Sequence, residues 1–411
     1  MTVFPEKLPF TSYQKILIAI LALIQFTVVL DFMVLSPLSD ILMKSLSISP
    51  QQFGMVVSVY AISAFVSGIS TAGFADKYDR KKLLLFFYVG FVLGTLLCGL
   101  ANSYWALLAA RLITGLFGGV IASISMAIVT DIFSLSQRGR VMGFIQMAFA
   151  GSQVLGIPIS LAIAAHFNWH YTFLAIVVFA IVLGLVVLIK MKPIDEHLKL
   201  QSDKNAFLHL WHTFTNKSYQ VGFVATAMLS IGGFMLMPFG SAFLVNNVSI
   251  LQTELPLVFM FTGMSSIIIM PIIGKLSDKF DKFKLFTVGS VIAVIMVIVY
   301  TNIPVIPLWQ VILVNMLLFM GIMSRMVPAT ALATAIPDAK DRGAFMSINS
   351  SLQQLAGGIA AIFAGFIVKQ ETKTSPLEHY DTLGYIVATL ILICLFFVYR
   401  VSVLVKSKTL K

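Results

Sequence analysis

Hydrophobic residues in this chain do not alternate with polar ones at a helical or strand period over long stretches. They form continuous runs, broken by short polar connections. A bilayer core about 30 Å thick needs roughly 20 helical residues to cross it. Twelve runs reach that length: 15–38, 53–75, 83–101, 105–130, 140–165, 171–191, 219–245, 255–275, 284–302, 307–333, 343–368 and 381–404. Most connections are short, such as Asn102–Ser103. The exception, 192–217, divides the pattern into six runs and six. The expected organisation is a six-helix bundle over 1–191, a central loop over 192–217 and a second six-helix bundle over 218–411.

Composition sharpens this picture. Of the 411 residues, 59% are hydrophobic and 11% charged, a balance that a water-soluble domain of this size cannot hide. Lipid is therefore a partner for most of the surface. Cys98 and Cys394 both sit inside apolar runs, which argues against a disulfide framework. The first run is too long for a signal-peptide core and lacks a small-residue cleavage site, so it reads as a retained helix.

The formal charge of +11 is spread through short connections and is not clustered on a soluble face, which excludes nucleic acid as the partner and points to topology. Lys44, Lys369 and Lys373 fall on one side of the membrane; Arg111 and Arg325 fall within runs. All other Lys and Arg lie on the side of the chain ends. Basic excess marks the cytoplasmic side, so both termini are expected there, in a multi-pass protein of the plasma (inner) membrane.

One polar connection recurs. Ala72-Gly-Phe-Ala-Asp76-Lys-Tyr-Asp-Arg80 matches Gly274-Lys-Leu-Ser-Asp278-Lys-Phe-Asp-Lys282 in order of charge, 202 positions apart. Each copy follows the second run of its half. Arg138-Gly139 and Arg342-Gly343 form another pair, each opening the fifth run of its half. Paired halves indicate parallel internal repeats, the arrangement in which substrate binds between halves near the midplane.

These features resemble the major facilitator superfamily along essentially the whole chain. The recurrent loop resembles the signature Gly-x-x-x-Asp-Arg-x-Gly-Arg-Arg, with Ala72 in place of the first Gly and Asp79 and Asp281 in place of the second. Arg111 followed by Gly115, Gly118 and Gly119 resembles a second family motif. "VLGIPIS" (154–160) and "NWHYTFLAI" (168–176) are similar to stretches of drug:proton antiporters and the arabinose-efflux-permease group, although Ser160 and His170 depart from that pattern. The resemblance implies an all-α integral membrane fold of twelve transmembrane helices in two pseudo-symmetric six-helix bundles. It also implies a secondary transporter working by alternating access, most readily a proton-coupled exporter. A proton-coupled importer on the same fold is the alternative, and a non-transporting receptor-like relative is a second one.

Asp31 is the acidic residue well inside a run of the first half, and a buried carboxylate is a functional candidate by default. It lies about seven residues, or roughly 10 Å, from the outer end of its run, and Arg111 lies about as far inside the fourth. The two therefore share a depth. Burial disfavours the charged carboxylate while a neighbouring guanidinium favours it, so any motion of either would move a proton. In related exporters an acid and an arginine at these places are implicated in coupling, and the resemblance implies that role for Asp31 and Arg111. A static brace between two helices is the plainer reading.

Arg325 sits in the tenth run, either to meet an anionic substrate group or to bond carbonyls freed near Pro328. Gln146, Gln153, Asn349, Gln353 and Gln354 are polar groups at equivalent places in the two halves; they either line a cavity or bond between helices. Phe234 and Met235 belong to a dense apolar cluster that fits a hydrophobic or amphipathic small-molecule substrate. Gly151, Gly156 and Pro158 predict a bend in the fifth run. A gate is expected on the side of the termini: Asp76 compensated by Arg80, joined by Asp131 as in the family, and echoed by Asp278 and Lys282 in the second half. Such a network would lock the second, fourth and eleventh helices when the outer side opens and would break for inward opening. Ala335 stands where the second half would need its counterpart of Asp131, so the gate should be asymmetric. "HLWH" (209–212) has metal-like spacing but no further ligands nearby, and reads as an interfacial helix anchored by Trp211. No metal, cofactor or enzyme-type catalytic constellation is expected, and the expected working form is a monomer exchanging substrate and protons.

Overall fold

The computed structural model describes residues 9–72, 77–196, 198, 206–338 and 341–409. Among the described residues twelve helices are long and apolar enough to cross a membrane: α1 (Ser12–Val34), α2 (Pro50–Thr71), α3 (Arg80–Leu100), α4 (Tyr104–Ile132), α5 (Arg140–His166), α6 (Trp169–Lys190), α7 (Lys217–Asn246), α8 (Leu255–Ser277), α9 (Lys282–Thr301), α10 (Leu308–Thr334), α11 (Arg342–Ile367) and α12 (Tyr380–Lys408). No β-strand is formed among the described residues beyond a single bridge between Lys369 and Glu378. An even number of crossings puts both chain ends at one face, called here the terminus face; the opposite one is the far face.

Polar residues at the breaks start the helices. A side-chain oxygen at the N-cap satisfies amide N–H groups that have no intrahelical partner. Thr11 and Gln14 close a capping box on α1, Ser103 caps α4, Asn168 caps α6 and Asn216 caps α7. The short connection Asn102–Ser103 works because its Ser is the cap.

Three helices depart from straight rods. The first run was expected to continue to 38, but α1 ends at Val34, and a separate helix, Ser39–Leu46, follows the turn. In α5 the backbone widens into a π-helical turn at Ser152–Gly156, just before Pro158. Proline lacks the N–H for the usual ladder and its ring crowds the carbonyl four residues back, and the wider turn accommodates both effects. In α7 the helix stops at Phe234, passes through a 3₁₀ turn at Met237–Phe239 containing Pro238, and resumes at Gly240.

Helices α1 to α6 pack on one another, chiefly α4 against α2 and α3, and helices α7 to α12 repeat this with α10 against α8 and α9. Two seams join the bundles, α2 with α11 and α5 with α8. Glycine sets the first seam: a Cβ on Gly54 would lie 2.6 Å from the Ala361 carbonyl oxygen, and one on Gly365 would lie 2.9 Å from that of Pro50. Only small residues let backbones approach this closely.

The core has one part common to both bundles and two separate parts. At the far face Met33, Val34 and Phe53 share a cluster with Phe239, Phe243 and Tyr300. At the terminus face the first bundle has its own core around Leu17, Phe87 and Ile124, and the second has another around Phe223, Phe286 and Phe345. Among the described residues the buried core is thus shared by the bundles at the far face and divided between them at the terminus face. A short helix, Ala206–Thr215, lies against α7 and α11 with Leu208, Trp211 and Phe214 exposed, a disposition suited to the lipid–water boundary.

Candidate functional site

Asp31 and Arg111 meet. The Arg111 Nη1 donates to Asp31 Oδ2 at 2.8 Å, and both side chains are almost wholly buried, 0% and 1% exposed. Equal depth on α1 and α4 produces the contact, as the residue counts predict. Thr95 of α3 donates to the other carboxylate oxygen at 3.1 Å. Cys98 and Thr114 lie beside one another at 3.7 Å in the same layer. The ring of Tyr60, from α2, covers the guanidinium with its centroid 4.4 Å from Cζ, while Arg111 Nε has no hydrogen-bond partner among the described residues.

The close crossing of α2 and α4 makes this layer possible. A Cβ on Gly115 would run into Ser63 and the Tyr60 carbonyl, and one on Gly119 would come within 2.5 Å of Ala64. These are the small residues that follow Arg111 in sequence.

On the other side of Tyr60 a cavity of about 530 Å³, counting its open mouth, lies between the bundles. Its lining includes Gln25, Phe32, Tyr60, Gly118, Ser351 and Gln354. Toward the far face lies a second, much narrower pocket lined by Phe32, Val57, Phe234, Met237 and Gln354, the first and last of which also line the wider cavity. Phe32 stacks near both Tyr60, at 5.2 Å, and Phe234, at 6.0 Å. No charged side chain lines either chamber among the described residues. Gln25, Ser350 and Ser351 line the wider cavity alone, and Phe234 and Met237 the narrower pocket alone.

The remaining candidates are distributed as follows. Gln153 is buried in the π-helical turn of α5, where a Cβ on Gly263 of α8 would come within 3.1 Å of its carbonyl oxygen; its Oε1 has no partner among the described residues. Phe234 lines the narrow chamber, whereas Met235 packs into the fused core. Asn349 is buried with an unpartnered Oδ1, and Gln353 is half-buried; the α11 amide in the cavity wall is Gln354, one position on. Arg325 lies inside the second bundle, away from both chambers, donating through Nε to Ser290 Oγ at 3.0 Å with the Phe286 ring 5.3 Å away. The side chain of Gln146 lies outside the described residues.

Among the gate candidates, Arg80 Nε and Asp131 Oδ2 are 3.0 Å apart, tying α3 to α4 within the first bundle. Asp76 and the side chain of Asp278 lie outside the described residues, and Lys282 is the first residue of α9. Among the described residues of the second half, three other acids are engaged. Asp281 pairs with Lys406 at 2.7 Å, Asp338 with Lys408 at 2.9 Å, and the Tyr219 hydroxyl donates to Asp341 at 2.9 Å. With Ala335 at the position matching Asp131, Asp338 and Asp341 sit on the connection after α10 and engage α12 and α7, while Asp281, at the start of α9, engages α12.

The far face holds a residue that the pattern of runs did not single out. Asp40, 1% exposed, accepts from Lys44 at 2.8 Å, from Asn246 Nδ2 at 2.6 Å and from Gln252 Nε2 at 2.6 Å. The last two donors belong to the second bundle. Nearby, Ser39 Oγ accepts from the Ala242 amide at 3.2 Å, and Lys373 reaches Ser47 at 2.6 Å. Ser58 also donates to the Gly358 carbonyl, so these hydrogen bonds join the two bundles in the far half. The far face is closed and the cavity belongs to the terminus side.

A paired-bundle fold with a central cavity closed toward one face is the architecture of membrane transporters. The model of the Major Facilitator Superfamily matches residues 21–361, and the chain belongs to that family. It is 26% identical over 258 residues to the MFS-type transporter YceJ of Bacillus subtilis, covering 62% of this chain but 65%, less than two thirds, of that relative. It is also 26% identical over 143 residues to a probable sugar efflux transporter of Helicobacter pylori, covering 35% of this chain and 36% of the relative. Among solved structures, a bacterial homolog of the human lysosomal transporter Spinster, inward-facing and unoccupied, superimposes with a TM-score of 0.78 at 16% identity, over 97% of this chain and 99% of that one. It is a multi-pass membrane protein with the transporter fold.

Proposed function

We propose that this chain exports uncharged, amphipathic small molecules in exchange for protons. The observation that carries the reading is the Asp31–Arg111 pair, fully buried at 2.8 Å and separated from the cavity by one aromatic ring. A proton arriving on Asp31 neutralises the carboxylate and leaves the guanidinium without its counter-charge. Arg111 then reorients, and the packing of α1 on α4 changes with it. Substrate in the cavity and proton on the pair thus act on the same helices, which is the requirement for exchange.

The cavity supports the substrate class. With no ionised group in its lining, a charged ligand would be desolvated without compensation. Gln25, Ser351 and Gln354 suit hydroxyl or amide groups, and Phe32, Phe234 and Met237 suit an apolar portion. The match to a probable sugar efflux transporter is compatible with an uncharged hydroxylated substrate and with outward transport. The basic connections support a cytoplasmic terminus face, and on that reading the closed far face corresponds to an inward-facing state ready to load.

The test is transport in proteoliposomes under an imposed proton gradient, with a panel of neutral glycosides, cationic dyes and organic anions. Gradient-driven movement of the neutral amphiphiles is expected, together with its loss in Asp31→Asn at unchanged protein level. Full gradient-driven transport by Asp31→Asn removes Asp31 as the proton site, and transport confined to ions removes the substrate class.

A further inference from the structure

Tyr60 touches both the ion pair and the cavity. Its ring lies over Arg111 at 4.4 Å, and its other surroundings are Phe32 at 5.2 Å and the cavity wall. The residue is 1% exposed, so the ring fills the gap between α1 and α4. Its hydroxyl makes no hydrogen bond among the described residues and points along Gly118, where a Cβ would sit 3.1 Å from the oxygen and equally close to Phe91. Glycine there leaves the tyrosine room to swing. A buried phenol ordinarily has a partner. One left without a protein partner at the edge of a cavity is available to a ligand.

We propose that Tyr60 is the seal between the substrate cavity and the Asp31–Arg111 pair, opened by a hydroxyl- or amide-bearing substrate that bonds its phenol. This rests on the proton-exchange reading and adds the element that links its two sites. In the unloaded protein the ring bars water from the guanidinium, so a proton cannot reach Asp31 from the cavity and no proton crosses without cargo. A substrate group that takes the phenol hydrogen bond draws the ring off Arg111. Water then reaches the carboxylate, the O–H bond of a protonated Asp31 breaks, and the proton leaves to that water. The carboxylate re-forms its bond to Arg111 Nη1. Thr95, Thr114 and Cys98 face the pair from α3 and α4, and no second acid does so among the described residues, so the proton concerned is that of Asp31. Tyr60 is a positioning residue: it acts through Arg111.

The experiment needs no knowledge of the natural substrate. The purified full chain is reconstituted in liposomes holding a pH-sensitive dye, with the membrane potential clamped by potassium and valinomycin, and a proton gradient is imposed in the absence of any substrate. Wild type should stay tight. Tyr60→Ala should admit protons at least tenfold faster, Tyr60→Phe should remain as tight as wild type, and Asp31→Asn combined with Tyr60→Ala should restore tightness. Tyr60→Leu, which keeps apolar bulk but loses the ring face, serves if the alanine variant is not monodisperse, and should leak in the same Asp31-dependent way. A tight Tyr60→Ala or Tyr60→Leu overturns the seal, as does a leak that persists without Asp31. Failure of the exchange reading is distinguishable, since it appears as undiminished gradient-driven transport by Asp31→Asn alone.

Discussion

At the scale of the residue, the buried pair is the feature with most at stake. Two charges removed from water are tolerated because each satisfies the other, and removing one partner from a buried pair costs about 3–5 kcal/mol through the charge left behind. Arg111→Gln should therefore lower thermal stability sharply, and Asp31→Asn combined with Arg111→Gln should recover a large part of the loss. Melting of the detergent-solubilised single and double variants measures this; equal losses in both would mean that the pair is not the source of the effect. The pairing itself was readable from the sequence, because depth in a membrane helix follows from counting at 1.5 Å per residue. What surrounds the pair was not. Thr95 and Tyr60 come from two further helices whose rotation about their axes leaves no mark in uniformly apolar runs. The same blindness explains why Gln354, and not its neighbour Gln353, faces the cavity, and why Arg325 could be placed in a helix but not on its bundle-interior side.

At the scale of the element, the two aspartates that replace the family glycine turn out to be helix caps with a second job. Asp79 caps α3 through Lys82 N and accepts from Ile194 N at 2.7 Å on its other oxygen. Asp281 caps α9 through Phe283 N and Lys284 N and pairs with Lys406. Each ties the third helix of its half to the end of the sixth, an equivalence that follows from the repeat but needed the folded chain to be seen. The Lys406 ammonium donating to Asp281 holds its carboxyl below the ordinary value, assisted by the two backbone donors. A depressed folded value means that the stabilisation is complete above the ordinary carboxylate range of about 4 and is lost as pH falls through the folded value. Lys406→Met should accordingly melt lower than wild type at pH 7, by a modest margin since Lys406 is well exposed, and the difference should begin to shrink below about pH 4 and vanish only once pH has fallen through the depressed folded value of Asp281. A difference that is constant with pH would assign the effect to packing by the lysine stem. All twelve spans were legible, since hydropathy reports burial in lipid. The breaks at Leu35–Leu38 and around Pro238 were not, because apolar residues there conceal a backbone that has stopped being α-helical.

At the scale of the molecule, the question is what keeps one face closed. The hydrophobic cluster common to both bundles provides bulk at the far face, but apolar contact is not directional and does not select a register. Asp40 does: it accepts from both bundles, from Asn246 and Gln252 each at 2.6 Å and from Lys44 on its own helix. It escaped notice in the sequence because it lies just past the end of an apolar run, where an acid normally faces solvent. The sign available was the Asp40–Lys44 spacing of four, which marks a short helix and not a loop. Hydrogen bonds to a charged group contribute about 1.5–3 kcal/mol each when buried, and both interbundle bonds must break before the far face can open. Water then solvates the freed groups and returns part of that energy. A net bias of about 1.4 kcal/mol is tenfold in population. Asp40→Ala should therefore raise the far-open population by about tenfold or more, and Gln252→Leu, which removes one donor and leaves the Asp40–Lys44 pair intact, should raise it less. Spin labels placed on the far ends of the two bundles read the separation directly, and the labelled Asp40→Ala protein should gain a longer distance at the expense of the short one. Unchanged distances in Asp40→Ala would leave the apolar cluster as the closing element and remove Asp40 from the gate.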